Sequence, residues 1–300
     1  MERRAFLKVA VVLFAFSLSS LSAIGKPPKI RWNFNTVSWG KDFEKALRET
    51  AGRGINSFEA GPEIFETYRN RPGELKSICS QFGLKNWSLN AGIVPFDGSD
   101  KPLILDNFRK MAEFAQLAGA SYILVSTEKR DSYPPGKIKL TKLALALDTF
   151  GEIAKKHGIR ILLGNAMHSI CQTADELEFT VSQCKSKQVG MLLDLAFMTQ
   201  SGTKPEDCIE KWGRKIQAIR FNDITKPVKG FAGSQDRNYR IEIPGKGNSL
   251  NYPEILAALK KKRFKGLGFL GKAAQPDPGK SPLSEILEAK DWLSKTGFVF

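Results

Sequence analysis

The sequence predicts an α/β protein with a single (β/α)8 barrel, the TIM-barrel architecture, after an N-terminal signal peptide. Eight strand-like segments alternate with eight helix-like segments between residues 29 and 295, as is typical of right-handed βαβ units in a parallel sheet. Eight units favour a closed barrel over an open sheet, and no glycine-rich phosphate motif follows the first strand. The 300 residues, 42% hydrophobic and 26% charged, suffice for one large domain at residues 29–300.

The strands are predicted from short apolar runs, and the helices from longer segments that mostly end at a glycine. The predicted strands cover residues 30–39, 55–60, 84–91, 121–127, 159–163, 189–196, 216–222 and 266–271. The predicted helices cover residues 43–52, 74–82, 103–118, 141–157, 173–184, 205–214, 252–263 and 283–295. Gly83, Gly119 and Gly158 follow three of the helices, as expected of a helix C-cap. Thr173 and Glu176 have the spacing of a capping box.

The first 25 residues have the pattern of an export signal rather than of a domain. Arg3 and Arg4 stand in the stretch RRAFLK, which is followed by an apolar run and then by small residues up to Gly25. This stretch resembles a twin-arginine signal, so we predict a signal peptide at 1–25 and a periplasmic or otherwise exported protein. An uncleaved membrane anchor is the alternative. The apolar run is short for a bilayer span, so we expect no stable membrane insertion after cleavage.

The chain is strongly basic, with a formal net charge of +15 and a pI near 9.6. A nucleic-acid or anionic surface, an anionic substrate and a merely solvated basic surface are the three interpretations. The basic residues are spread along the chain, except for the run KKKR at 260–263, which ends a predicted helix where cations favour the helix dipole. No zinc-finger spacing or aromatic–basic RNA motif accompanies them, so we expect no nucleic-acid partner.

The four cysteines are Cys79, Cys171, Cys184 and Cys208. They include no C-x-x-C pair, which argues against a zinc site or a thioredoxin-like motif. In an exported protein they can form disulfides, whereas four scattered thiols in a large domain are more commonly packing residues. The sequence leaves both alternatives open, and it indicates no particular oligomeric state.

Polar residues at the predicted carboxyl ends of the strands are the functional candidates, because active sites of such barrels lie at that face. As ligand-binding residues we predict Asn33, Asn35, Glu59, Asn90, Asn165, Asn222, Lys246 and Lys272. These side chains supply both donors and acceptors of hydrogen bonds, as the hydroxyls of a sugar require. Rings that could pack on sugar faces are predicted close by, at Trp32, Trp39, Trp87 and Phe197. We therefore expect a small, sugar-like ligand.

Six segments resemble the xylose-isomerase-like TIM barrels, which include sugar isomerases and epimerases, inosose dehydratase and endonuclease IV-type enzymes. They are GINSFEAGPE (54–63), KKHGIRILLGNAMH (155–168), VGMLLDLAF (189–197), IQAIRFNDI (216–224), IPGKGNSLNYPEILAALK (243–260) and KGLGFLG (265–271). They occur in the family's order and spacing, and the resemblance extends over residues 30–295. It implies the barrel fold, a sugar-type substrate and a divalent metal at the carboxyl ends of the strands.

The resemblance also shows where this chain departs from the family's metal-binding pattern. The family's fifth strand normally ends in Glu-Asn-His, the sixth in Asp-x-x-His, the seventh in His-x-x-Asp and the eighth in a Glu. Of the four metal ligands that the family pattern leads us to expect, only Asp194 is kept. The degenerate positions, at which another residue replaces that of the family, are Gly164, Phe197, Arg220 and Gly271. One Asp beside an Arg does not supply the several oxygen ligands of a hard divalent cation. We therefore predict no bound metal and no other cofactor.

Two functions remain open, and a third is disfavoured. The first is an isomerase/epimerase-like barrel, a pseudoenzyme, that binds a sugar or sugar acid without metal-dependent turnover. The second is a metal-independent isomerase, epimerase or lyase, in which Arg220 polarises a carbonyl and Asp194, Asp223 or His168 transfers protons. The third is DNA repair, which is disfavoured because it requires a cluster of metal ligands that this sequence lacks. We expect Arg220 to pair with Asp194, because a buried carboxylate requires a positive partner.

Overall fold

Eight parallel strands close into a barrel, and this confirms the predicted fold class. The computed structural model describes residues 26–96, 101–131, 134–225, 239–272 and 276–300, so the predicted signal peptide at 1–25 lies outside the described residues. The strands are β1 (Lys29–Asn35), β2 (Phe58–Ala60), β3 (Trp87–Ile93), β4 (Ala120–Ser126), β5 (Arg160–Gly164), β6 (Val189–Asp194), β7 (Ile216–Phe221), β8 (Asp223–Thr225), β9 (Arg240–Glu242) and β10 (Lys265–Leu270). β10 closes the barrel between β7 and β1, while β8 and β9 form a separate antiparallel pair.

The helices of the described residues surround the barrel. They are α1 (Phe43–Thr50), α2 (Pro62–Tyr68), α3 (Pro72–Gln81), α4 (Lys101–Ala118), α5 (Lys137–Lys156), α6 (Ala174–Gln183), α7 (Leu195–Gln200), α8 (Pro205–Trp212), α9 (Tyr252–Lys261) and α10 (Pro282–Thr296). The predicted capping box is present at the start of α6, where Thr173 accepts from the Glu176 backbone and Glu176 accepts from the Thr173 backbone.

Two predicted strands end earlier than expected because a side chain starts a helical turn. The segment 30–39 ends as a strand at Asn35, whose Oδ1 accepts the N–H of Val37 at 2.8 Å and starts a 3₁₀ turn. The segment 189–196 ends as a strand at Asp194, which caps α7 by accepting the N–H of Phe197. The sequence analysis did not predict α2, α7 or the β8–β9 pair. Each has eight residues or fewer, too short for a periodic pattern to stand out.

The core consists of a small apolar layer inside the barrel and a large one between the barrel and the helices. Trp32, Trp39 and Trp87 belong to the outer layer: Phe34 packs edge-on against Trp39, and Trp87 donates to the backbone of α4. The prediction that these three rings lie beside a bound sugar was therefore wrong. Alternate strand residues point to opposite sides, and the tryptophans of β1 and β3 are on the helix side.

The four cysteines are all unpaired, so the structure favours the packing alternative over disulfides. Cys79, Cys171 and Cys208 are buried, and burial raises the pKa of each thiol to about 12. Thiols of this kind are inert at neutral pH. Within the described ranges, no helix has both the length and the apolar character needed to cross a bilayer.

Candidate functional site

The carboxyl end of the barrel interior is lined by one residue from each strand or strand end. Below it, an apolar layer includes Leu124, Leu162, Leu192, Ala218 and Phe269. Side chains on one face of a strand recur every second residue, so the residues two positions further along β4, β5, β6 and β7 also face the interior. We call the resulting set the mouth ring; it consists of Asn35, Glu59, Asn90, Ser126, Gly164, Asp194, Arg220 and Gly271.

Arg220 lies in the mouth ring and binds carboxylates from two other strands. Its Nη1 and Nη2 donate to Glu59 Oε2 at 2.7 Å and Oε1 at 3.0 Å, and its Nε lies 3.3 Å from Asp194 Oδ2. The guanidinium also lies over the ring of Phe269, 5.4 Å from the centroid. The expected Arg220–Asp194 pair is present. The closer, bidentate contact with Glu59 was not predicted from the sequence.

Asp194 ends β6 and caps α7 at the same time. Its Oδ1 accepts from the backbone of Phe197 at 3.2 Å and from the amide of Asn222 at 3.0 Å, which leaves Oδ2 for Arg220. Burial raises the pKa of Asp194, although Arg220 and Asn222 oppose this shift. Burial by itself would lower the pKa of Arg220, but the charges of Glu59 and Asp194 raise it above its ordinary value. The guanidinium is therefore held as a cation between two acids.

Two of the predicted ligand-binding amides hold the backbone around Asp194. Asn165 accepts from the Asp194 N–H at 2.8 Å and donates to the Asp194 carbonyl at 3.3 Å. Asn222 accepts from the N–H of Ala196 at 2.9 Å while donating to the Asp194 carboxylate. Both side chains are buried. Their hydrogen bonds position β6 and α7, and a role in ligand binding stays a prediction.

Two further predicted amides bind neighbouring strands. Asn33 accepts from Ser57 Oγ at 2.6 Å and donates to a carbonyl of its own strand. Asn90 donates to Glu59 Oε1 at 2.9 Å and accepts from the N–H of Gly92 at 2.8 Å. Glu59 therefore has hydrogen bonds from β3 as well as from Arg220. A chain of contacts extends from β3 through β2 and β7 to β6.

Asn35 and Ser88 flank Glu59, and each carries a buried polar atom without a partner in the described part of the chain. Both residues pair in register with Glu59, one from β1 and one from β3. Asn35 Oδ1 is bonded to the backbone of Val37, but its Nδ2 has no hydrogen-bond partner among the described residues, and neither has Ser88 Oγ. Buried polar atoms of this kind are uncommon in native proteins. They require a polar group from elsewhere, such as a water molecule or a ligand.

Gly164 and Gly271 lie at carboxyl ends of strands, as predicted. Gly164 ends β5, and a Cβ there would come within 3.3 Å of Leu192 Cδ2. Gly271 directly follows β10 and has a φ of +107°, in the region that favours glycine. Phe197, at the third degenerate position, lies in the first turn of α7, where its backbone N–H binds Asp194.

Asp223 and His168 lie outside the mouth ring. Asp223 is buried at the start of β8, and its Oδ1 accepts from the N–H of Ile224 at 2.7 Å. Burial raises the pKa of Asp223 to about 6 despite backbone hydrogen bonds that favour the charged form. His168 is exposed in the loop after β5, with a φ of +61°. Within the described residues, no ion pair or hydrogen bond links either side chain to Arg220.

Lys246 and Lys272 belong to an ion-pair network that joins their loops to α10. Lys246 Nζ lies 3.3 Å from Asp277 and 3.4 Å from Glu288. Lys272 binds Asp277 and, at 3.1 Å, Glu285. The acids of this network neutralise both cations. Ligand binding by these two lysines stays a prediction.

A family model described as the xylose isomerase-like TIM barrel matches residues 47–296 of the chain. The chain belongs to this family. The inosose dehydratase of Mesomycoplasma hyopneumoniae (strain 7448) is 24% identical over 294 residues, which cover 90% of this chain and 94% of that protein. The inosose dehydratase of Clostridium beijerinckii is 20% identical over 308 residues, which cover 90% of this chain and 98% of that protein.

Solved structures of other proteins share the fold. The IOLI protein with a bound zinc atom has a TM-score of 0.71 at 19% identity, covering 89% of this chain and 99% of that chain. D-psicose 3-epimerase with D-tagatose, from Clostridium cellulolyticum H10, has a TM-score of 0.73 at 14% identity, covering 90% of this chain and 100% of that chain.

The zinc of the first of these structures allows a test of whether the mouth ring of this chain fits a metal. The part of the chain that the structure describes contains no group of three or more His, Cys, Asp or Glu arranged to hold a metal ion. Asp194 and Glu59 are already bound to the Arg220 guanidinium, and glycines at 164 and 271 offer no side-chain ligand. The donor set fits neither zinc, which takes several nitrogen, sulfur or oxygen ligands, nor a hard divalent cation, which requires several free oxygen ligands.

Proposed function

We propose that this chain binds a sugar or sugar-acid-like ligand in the mouth of the barrel without metal-dependent turnover. The observation that carries the proposal is the position of Arg220, whose guanidinium neutralises both Glu59 and Asp194. The guanidinium is a fixed cation that replaces the charge that a metal ion would supply. A metal ion would require free carboxylates as ligands, whereas the guanidinium does not. Two of its N–H groups donate to Glu59 and its Nε lies beside Asp194, so its power to polarise a substrate carbonyl is reduced.

The class of ligand is inferred from the polar atoms that the barrel leaves without a partner. The amide of Asn35 and the hydroxyl of Ser88 are buried beside Glu59 and can bind an adjacent hydroxyl of a polyol. Relatives named inosose dehydratase and the structure of an epimerase with D-tagatose support the same class. We therefore propose cyclic polyols, ketoses and sugar acids as the compounds to test.

Titration calorimetry with these compounds in the presence of EDTA tests the binding proposal. We expect binding that is unchanged by EDTA and that weakens by about fivefold in Asn35→Ala, since one hydrogen bond is worth about 1 kcal/mol. Ser57→Ala is the matched control, because the Ser57 hydroxyl binds Asn33 and the backbone of Asn86. The absence of binding by all compounds, or equal losses in the two variants, would count against the proposal.

Elemental analysis of the purified protein tests the claim that the site holds no metal. We expect no stoichiometric zinc, manganese or magnesium. About one metal ion per chain that is lost in Asp194→Ala would overturn the proposal. Because Asp194→Ala also removes a cap, its folding must be verified by circular dichroism.

A metal-independent isomerase, epimerase or lyase is the second candidate, and the pKa of Asp223 favours it. A carboxyl with a pKa of about 6 is suited to general acid–base catalysis near neutral pH. In this candidate Arg220 polarises a carbonyl while Asp194, Asp223 or His168 transfers a proton. Incubation of bound sugars with the protein in deuterium oxide separates the two candidates. Exchange of carbon-bound hydrogen for deuterium supports turnover, whereas binding without exchange supports the first candidate.

Export to the periplasm, or across the membrane by another route, is part of the same proposal. Its support is the twin-arginine-like stretch RRAFLK and the apolar run that follows it.

A further inference from the structure

One end of the barrel is basic, and the segments that form it contain no acidic residue. We call it the amino face, and define it as the segments that lead into each barrel strand together with the chain end after α10. These segments are residues 26–29, 51–58, 82–87, 119–120, 157–160, 184–189, 213–216, 262–265 and 297–300. They contain twelve Lys or Arg residues and no Asp or Glu.

The cations of the amino face are exposed and mostly not neutralised by the fold. All twelve are exposed, and within the described ranges only Lys215 is in an ion pair, with Glu178 at 2.8 Å. At the opposite end of the barrel, cations stand beside acids, as in the pairs Arg130–Glu176 and Lys272–Asp277. Cations at helix C-termini favour the helix dipole, but that effect does not require the exclusion of every acid from the connecting segments.

The charge is densest in a groove of about 910 Å³ between the ends of α8 and α9. Arg214, Lys262, Arg263 and Lys265 line it on the amino face, and its two aromatic side chains, Trp212 and Phe264, are buried. Buried rings offer no platform on which nucleic-acid bases can stack. The groove is therefore suited to anionic groups that are bound by charge alone.

We propose that the amino face is a docking surface for a bilayer that contains anionic phospholipids. A ring of cations around the base of a barrel can contact many headgroups of a planar surface at once. The chain also enters the barrel at this face, through Lys26 and Lys29. Docking in this orientation leaves the mouth ring facing away from the lipid, and it does not depend on the proposed function.

Sedimentation of the full chain with lipid vesicles tests the proposal. One set of vesicles is phosphatidylcholine alone, and the other contains about one third phosphatidylglycerol, an anionic phospholipid. We expect binding to the anionic vesicles to be at least about tenfold tighter at low salt and to fall to the neutral level in 1 M salt, where charges are screened within about 3 Å.

Charge reversal locates the surface. In the triple variant Arg214→Glu, Lys262→Glu and Lys265→Glu, we expect the preference for anionic vesicles to be lost. The matched control is Lys41→Glu, Lys137→Glu and Lys204→Glu, which has the same net charge but alters exposed cations near helix starts at the other end of the barrel. This control should keep most of the preference. Thermal unfolding of both variants verifies that they fold, and the milder Gln substitutions at 214, 262 and 265 serve if the Glu variant does not.

Three outcomes would overturn the proposal. The first is equal binding of the full chain to neutral and anionic vesicles. The second is a loss of binding in the control variant as large as that in the test variant. The third is a DNA duplex that binds more tightly than the vesicles and competes with them. The last result would identify the amino face as a nucleic-acid surface instead. The leader is common to all variants, so its own insertion into vesicles cannot account for a difference among them.

Discussion

Arg220 connects carboxylates that come from two different walls of the barrel, β2 and β6. Its removal leaves Glu59 and Asp194 buried without a cation, and the cost of breaking a buried pair in this way is about 3–5 kcal/mol. We predict that Arg220→Ala lowers the free energy of unfolding by this amount, as measured by urea denaturation. Lys215→Ala removes an exposed ion pair and is expected to cost less than about 1 kcal/mol.

A double-mutant cycle between Arg220→Ala and Glu59→Gln measures the coupling directly. We expect the double variant to be clearly more stable than the sum of the single losses predicts, because each single change already removes the pair. A cycle without coupling would show that the two side chains do not meet. The same cycle with Asp194→Asn is expected to give a smaller coupling, because the Nε–Oδ2 distance of 3.3 Å is longer than the contacts with Glu59.

Asp223 makes stability depend on pH between about 4 and 6. Its pKa is about 6 in the folded chain, above the ordinary value of 3.8, so the folded state holds the proton more tightly. The resulting stabilisation is fully present below the unfolded pKa and is lost as the pH rises through the folded pKa. We predict that wild type loses at most about 3 kcal/mol relative to Asp223→Asn between pH 4 and pH 7. Parallel urea titrations at the two pH values measure it, and equal changes in both proteins would contradict the assignment.

Among the elements, α6 is held by more than its capping box. Glu176 Oε2 accepts from the backbone of Gln172 and Thr173, and from Arg130 at 2.8 Å, so it ties the loop after β5 to the loop after β4. The start of α10 has a second capping box, formed by Ser281 and Ser284. Ser284 therefore occupies the same position in its helix without such an ion pair.

We predict that Glu176→Ala lowers the free energy of unfolding by about 3 kcal/mol and that Ser284→Ala lowers it by about 1 kcal/mol. The difference arises because Glu176→Ala removes a cap together with the buried ion pair to Arg130, whereas Ser284→Ala removes only a cap. Chemical denaturation of the two variants measures both losses. Equal losses would show that the link between the two loops adds nothing to the cap.

At the scale of the whole molecule, the route of export is open to a direct test. Replacing Arg3 and Arg4 together by Lys keeps the charge of the leader but removes the twin-arginine pair. We predict that the precursor of this variant accumulates in the cytoplasm, as seen by fractionation and immunoblotting. A variant with Lys26 replaced by Arg, just beyond the leader, is the control. Unchanged export of the double variant would exclude the twin-arginine route.

The sequence by itself determined the barrel. Alternating strands and helices, helix-ending glycines and the Thr173–Glu176 cap are local signals, and they placed the elements to within a few residues. Because parallel strands end at one face, the same signals placed Asp194 and Arg220 together, and the family resemblance placed Gly164 and Gly271 beside them. Local signals act within one or two turns of chain, so they do not need the closed fold.

Only the tertiary structure decided which groups meet. Glu59 and Arg220 are 161 residues apart, and they touch because closure of the barrel brings β2 and β7 to the same interior space. Alternate residues of β1 face opposite sides of the barrel wall. The closed fold decided which set faces the interior, so that Asn35 lies at the mouth and Trp32 in the outer core. A shift of one residue in a strand exchanges its two faces, and the packing of the whole barrel fixes that register.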